Sequence, residues 1–106
     1  MAQDKKADKK MEKSAAGKAA VKQITSDDKA SAYEVTYKPG DERSISPGHR
    51  VVRALQGGTL ERTHADGKKE KVEYKTGQVR INKPTQGYTT RNIGKAEVQL
   101  YVVEQK

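Results

Sequence analysis

The sequence contains no cysteine, phenylalanine or tryptophan, and only two histidines. Without cysteine there can be no disulfide, thiolate metal site or thiol nucleophile. A transition metal needs three or four converging nitrogen or oxygen ligands, so His49 or His64 would have to meet carboxylates from elsewhere in the chain. No apolar run approaches the length of a membrane-spanning helix, and no membrane span is expected. No apolar stretch follows the early lysines, so no signal peptide is legible. Hydrophobic residues make up 32% of the 106, which is low for a fully globular chain.

The deficit is concentrated at one end. Residues 1–23, MAQDKKADKKMEKSAAGKAAVKQ, have Met1, Met11 and Val21 as their only large apolar side chains, and seven lysines against three acids. Half of the net charge of +8 therefore lies there. A Lys/Ala-rich segment with no sustained apolar face is expected to be a disordered basic tail, residues 1–27, ahead of one domain, residues 28–106, with the polar stretch TSDD as the hinge. The tail has no arginine and no aromatic to stack on a base, so nucleic acid is not the expected partner. An adaptor role with the tail on an anionic surface stays open. Two compartments also stay open: the cytoplasm, and the bacterial periplasm if Met-Ala-Gln stands in front of a mature exported chain.

Beyond the tail the period changes to two. AYEVTYKPG sets Tyr33, Val35 and Tyr37 against Glu34, Thr36 and Lys38, the mark of a half-buried strand. ERSIS, RVVRAL, TLERTH, EKVEY, QVRIN, YTTRN and AEVQLYVVE follow, separated by Gly- and Pro-containing turns that include an Asp66-Gly67 hairpin. Eight strands at this spacing, with no helical period between them, predict an all-β sandwich or barrel. Its core draws on 20 Val, Ile, Leu and Tyr residues. That is thin enough for a dimer interface to help, with sheet-edge pairing as the expected route.

Several constellations could carry chemistry. Ser44, Ser46, His49 and Asp41 lie close together, but no nucleophile elbow or oxyanion loop accompanies them. Glu61, Glu70 and Glu73 alternate with Lys and Arg, which reads as cross-strand charge pairing rather than a glycosidase carboxylate pair. Gly57-Gly58 precedes neither a helix nor a Lys-Ser/Thr pair, so it is a turn and not a phosphate loop. The set with the most chemistry is Arg53, Tyr74, Arg80, Tyr88 and Arg91. An arginine in a low-dielectric lumen binds carboxylate or phosphate bidentately, and tyrosine hydroxyls complete the contacts. In QVRIN, Val79 and Ile81 share one face and Arg80 takes the other, so Arg80 lies outside if the aliphatics face the core.

The stretch RVVRALQGGTLERTHADGKKEKVEYKTGQVRI, with Pro84, Gly87 and Asn92 after it, resembles a small single-domain cupin over residues 33–104. The Leu-x-Gly turn is Leu55-Gln56-Gly57, and Gly77 opens the second motif. The resemblance places the family's second-motif histidine at Tyr88, its His-x-His pair at about Ser44 and Ile45, and its glutamate near His49 and Arg50. It implies a cupin-like double-stranded β-helix, a jelly-roll barrel of the RmlC-like type, without the usual metal-binding set, without a cofactor and as a homodimer. The expectation is a non-catalytic protein that binds a small anionic ligand through Tyr88, Tyr74, Arg53 and Arg91, or serves as a structural dimer. The alternative is a metal-dependent enzyme with a non-standard site of His49 with Glu42 or Glu61.

Overall fold

The computed structural model describes residues 17–83 and 86–106. The strands are β1 (Ala20–Ser26), β2 (Ala30–Tyr37), β3 (Glu42–Ile45), β4 (Arg50–Gln56), β5 (Gly58–His64), β6 (Lys69–Tyr74), β7 (Val79–Asn82), β8 (Tyr88–Asn92) and β9 (Val98–Gln105). There is no helix among the described residues. A five-stranded sheet in the order β1-β2-β9-β4-β7 faces a four-stranded sheet in the order β3-β8-β5-β6. The chain moves repeatedly from one sheet to the other, as a jelly roll requires. The alternation of β2 carries through: Tyr33, Val35 and Tyr37 point inward. They meet Val52 and Ala54 of β4, Leu60 of β5, Val72 and Tyr74 of β6, and Val98, Leu100 and Val102 of β9 in one buried core.

All eight expected strands are present. The ninth, β1, lies inside the segment expected to be tail. It pairs antiparallel with β2, from Ala20 opposite Thr36 to Ser26 opposite Ser31, with an irregularity between Gln23 and Thr25. Every β1 residue after Ala20 is exposed, so no apolar period betrayed it. Backbone pairing to the open edge of β2 holds it in place. TSDD is a hairpin turn and not a hinge: Asp27 Oδ1 accepts the backbone N–H groups of Lys29 and Ala30, an Asx turn. The tail expectation is therefore corrected for residues 17–27, and its remainder, residues 1–16, lies outside the described residues.

Two further local features position the lumen. At the β4–β5 corner, a Cβ on Gly57 would overlap the Tyr74 carbonyl, and one on Gly58 would come within 2.5 Å of Val98 Cγ2. The Leu-x-Gly turn is thus a place where only glycine lets the two sheets approach. At the end of β8, Asn92 is 1% exposed. Its Nδ2 donates to the carbonyls of Tyr37 and Ala96, and its Oδ1 accepts the Gly94 N–H.

The edge strand β7 faces opposite to the expectation. Val79 and Ile81 are 58% and 63% exposed, and Arg80, half-buried, lies opposite Val52. Val52 is buried, and cross-strand partners share a face. The neighbour's core residue fixes the alternation of β7, and the apolar content of this edge strand does not.

Candidate functional site

The space between the sheets is lined on one wall by β3, β8 and β5. Their register puts Arg43, Thr90 and Arg62 in one inward row, with Thr90 in the middle. The adjacent row is Ile45, Tyr88 and His64. On the opposite wall, Arg50 lies between Glu104 of β9 and Asn82 of β7. Arg43, Arg50, Arg62, Tyr37, Tyr74 and Tyr88 all line the cavity, above a floor of Val35, Val52, Leu60, Val72, Leu100 and Val102. The cavity measures about 30 Å³, room for about two waters or a head group of similar size.

The arginines are held by aromatic faces. The Arg43 guanidinium lies 5.0 Å from the Tyr33 ring centre, Arg62 4.9 Å from Tyr88, and Arg80 5.5 Å from Tyr74. Such stacking fixes a planar cation and leaves its edge N–H groups free to bind. Arg50 is held differently. Its Nη2 donates to Glu104 Oε2 at 3.1 Å, and Tyr33 Oη donates to Glu104 Oε1 at 2.7 Å. Arg50 is 7% exposed, and its buried Nε–H has no partner.

Charge is out of balance. Three guanidinium groups line the lumen and no carboxylate joins them in the lining; Glu70 stands opposite Arg62 in the register of β5 and β6, and Glu104 pairs with Arg50. Burial works against both members of that pair. For Arg50, the Tyr33 hydroxyl and the Glu104 charge outweigh it and raise the pKa. For Glu104, the Tyr33 hydrogen bond and the Arg50 charge outweigh it and lower the pKa. Tyr37 is pushed up to about 12 by burial, against the opposing pull of Arg43.

The residues expected at the site divide cleanly. Tyr74 and Tyr88 line the cavity. Arg53 and Arg91 do not: both are exposed on outer faces. Arg53 is turned out because its strand neighbours Val52 and Ala54 are buried. Arg91 stands in an outward row of alternating sign, Glu42, Arg91, Glu61 and Lys71, so its charge is answered on the surface. The arginines that do line the cavity, Arg43, Arg50 and Arg62, were missed. The signal for Arg43 lay in ERSI. An i, i+2 pair must share a face, so if Ile45 points inward Arg43 does too. The motif alignment placed the pair one residue late, at Ser44, which is exposed.

The metal alternative does not fit these residues. Glu61 points outward in the charged row, and His49 is exposed. His64 Nε2 lies 3.1 Å from Glu70 Oε1, and its ring packs 5.7 Å from that of Tyr88. Among the described residues no three His, Asp or Glu side chains converge. The inward positions of the first motif are held by Arg43, Ile45 and Arg50. A guanidinium has no lone pair to give a metal and repels it by charge.

No family model matches the sequence, and no curated protein is similar to it. Solved structures are similar in fold. A cupin domain from Bordetella pertussis Tohama I has a TM-score of 0.75 at 16% identity, covering 84% of this chain and 94% of that one. A double-stranded β-helix protein from Klebsiella pneumoniae has a TM-score of 0.67 at 19% identity, covering 87% and 80%. The polyketide cyclase RemF from Streptomyces resistomycificus has a TM-score of 0.63 at 13% identity, covering 83% and 65%. The chain therefore has the fold of a small cupin, a double-stranded β-helix.

Proposed function

We propose that this protein binds a small oxyanion-bearing ligand, a carboxylate or a phosphate, in the lumen of the barrel. The reading is carried by one observation: Arg43, Arg50 and Arg62 line a single cavity with no carboxylate in its lining. Like charges confined between two sheets repel more than they do in bulk water, and an anion relieves that repulsion. The unpaired Arg50 Nε–H is a further donor awaiting an acceptor. Thr90, between Arg43 and Arg62, offers a hydroxyl that either donates or accepts. The reading is of binding: the lining holds guanidinium, hydroxyl and amide groups, and the one imidazole beside it, His64 in the row of Tyr88, is engaged with Glu70.

The test is calorimetric titration of the full chain with phosphate, sulfate and small mono- and dicarboxylates at constant ionic strength. Saturable binding that is lost in Arg43→Gln and Arg62→Gln, and kept in the outer-face variants Arg53→Gln and Arg91→Gln, supports it. No saturable heat with any of these anions, or equal loss in the outer-face variants, refutes it.

A further inference from the structure

The lumen is graded along its length. On the four-stranded sheet the inward rows succeed one another in a fixed order. Leu60 with Asn92 comes first, then Arg43, Thr90 and Arg62, then Ile45, Tyr88 and His64. Exposure rises in the same order. Leu60, Asn92 and Thr90 are buried, whereas Ile45, Tyr88 and His64 are half-buried. On the five-stranded sheet the inward set of β4 ends at Arg50, opposite Asn82 of β7. A short loop, residues 46–49, joins Ile45 to Arg50, so the two walls end together. One end of the barrel is filled, and the other is its mouth.

The cavity of about 30 Å³ takes a head group and no more. Toward the filled end lie Val35, Leu60 and Leu100, all packed in the core. Whatever is attached to the head group can therefore leave only through the mouth. Beyond the arginines, the lining there is Ile45, Tyr88 and Asn82 among the described residues. We propose, resting on the oxyanion reading above, that the ligand carries an apolar substituent on its oxyanion. It is a carboxylic acid or a phosphate monoester whose head group meets Arg43, Arg50 and Arg62, and whose substituent lies against Ile45 and Tyr88.

The chemistry of the mouth selects this class. Ile45 and Tyr88 are direct cross-strand partners, so their side chains form one apolar wall. The Tyr88 ring is already held, by the Arg62 guanidinium 4.9 Å from its centre and by the His64 ring at 5.7 Å. A wall fixed in advance costs little ordering when a ligand covers it. A cationic substituent would find no carboxylate in the lining, and Glu70, opposite Arg62, is engaged with His64. A polyhydroxylated one would press hydroxyls against Ile45 with no partner, which is costly. Asn82 supplies one amide, enough for a single polar atom. Ile45 is thus a specificity residue: it has no group to hold the oxyanion and touches only what is attached to it.

Calorimetric titration of the full chain with matched ligands tests the proposal: inorganic phosphate against phenyl phosphate and glycerol phosphate, and acetate against benzoate. Covering about 60 Å² of apolar surface is worth about tenfold in affinity. Phenyl phosphate or benzoate, or both, should bind about tenfold more tightly than the unsubstituted anion, and glycerol phosphate should not. The series that shows the gain identifies the head group. Ile45→Thr, checked for folding by circular dichroism, should cut the gain at least threefold and leave the affinity for inorganic phosphate unchanged. In the wild type the phenyl protons should show nuclear Overhauser contacts to the Ile45 methyl groups, a readout that needs no variant. Equal affinity for substituted and unsubstituted anions overturns this proposal and leaves the oxyanion reading standing. No binding of any of the five overturns both. Glycerol phosphate binding as tightly as phenyl phosphate, or a gain untouched by Ile45→Thr with no contact to Ile45, overturns the apolar wall.

Discussion

Arg50 and Glu104 face each other across β4 and β9, 3.1 Å apart, with the Tyr33 hydroxyl completing the carboxylate's second oxygen. Glu104 has a lowered pKa in the folded chain, so the unfolded chain takes up this proton first as pH falls. The stabilisation is fully present above the ordinary glutamate value of about 4.3 and is lost as pH drops through it toward the lower folded value. Arg50 stays protonated throughout and adds no slope in this range. Glu104→Gln should be less stable than wild type at neutral pH by about 1–3 kcal/mol, since it leaves a buried guanidinium with a neutral partner. In urea melts from about pH 7 to about pH 3 the two proteins should converge at the acid end. Parallel curves would contradict this account.

Arg43 and Arg62 are separated by one strand and flank Thr90. Two strand spacings, about 10 Å, put their repulsion at roughly 1–2 kcal/mol for an effective dielectric near 20, and physiological salt screens part of it. Each arginine gains about 0.5–1 kcal/mol from its tyrosine ring. The two effects nearly cancel, so Arg43→Gln and Arg62→Gln should each change anion-free stability by less than about 1 kcal/mol. The diagnostic is salt. Adding chloride should stabilise the wild type more than either variant. A loss of several kcal/mol in either would mean that these side chains serve the fold.

Asn92 ties β8, the loop after it and the end of β2 together, through Gly94, Ala96 and Tyr37. Asn92→Ala strands one buried carbonyl, one part-buried carbonyl and one part-buried N–H, so a loss of about 1–3 kcal/mol is expected by chemical denaturation. Asn92→Asp should be no better, because a carboxylate cannot donate to either carbonyl. The Asn at the end of the second motif thus has a structural reason that does not depend on a ligand.

The sequence made the strands legible because most of them bury one face, and alternation in AYEVTY or QLYVV survives without any tertiary knowledge. It failed where both faces carry similar residues. In RVVRAL the inward set is Arg50, Val52 and Ala54, and the outward set is Val51, Arg53 and Leu55. Each holds one arginine and two apolar residues, so only the pairing with β9 decides. In QVRIN the aliphatics point to the surface, so the usual rule gave the opposite face. β1 was illegible for a third reason: its residues after Ala20 are exposed on both sides, and backbone pairing leaves no mark in composition. Of the lumen arginines, Arg50 was lost through the first of these ambiguities and Arg43 through a one-residue slip in β3, an error that exchanges the two faces of a strand.

The β4–β5 corner offers a test of packing against Val98. A Cβ on Gly58 would sit 2.5 Å from Val98 Cγ2, and Val98 is fully buried. Gly58→Ala should cost about 1–3 kcal/mol through overpacking. Val98→Ala alone should also cost about 1.5–3 kcal/mol through lost burial. Together they should cost clearly less than the sum, because the second substitution removes the atom that the first one strikes. Chemical denaturation of the four proteins in this cycle measures the coupling. Additive losses would mean that the corner relaxes by moving the backbone instead, and that Val98 does not set the glycine requirement.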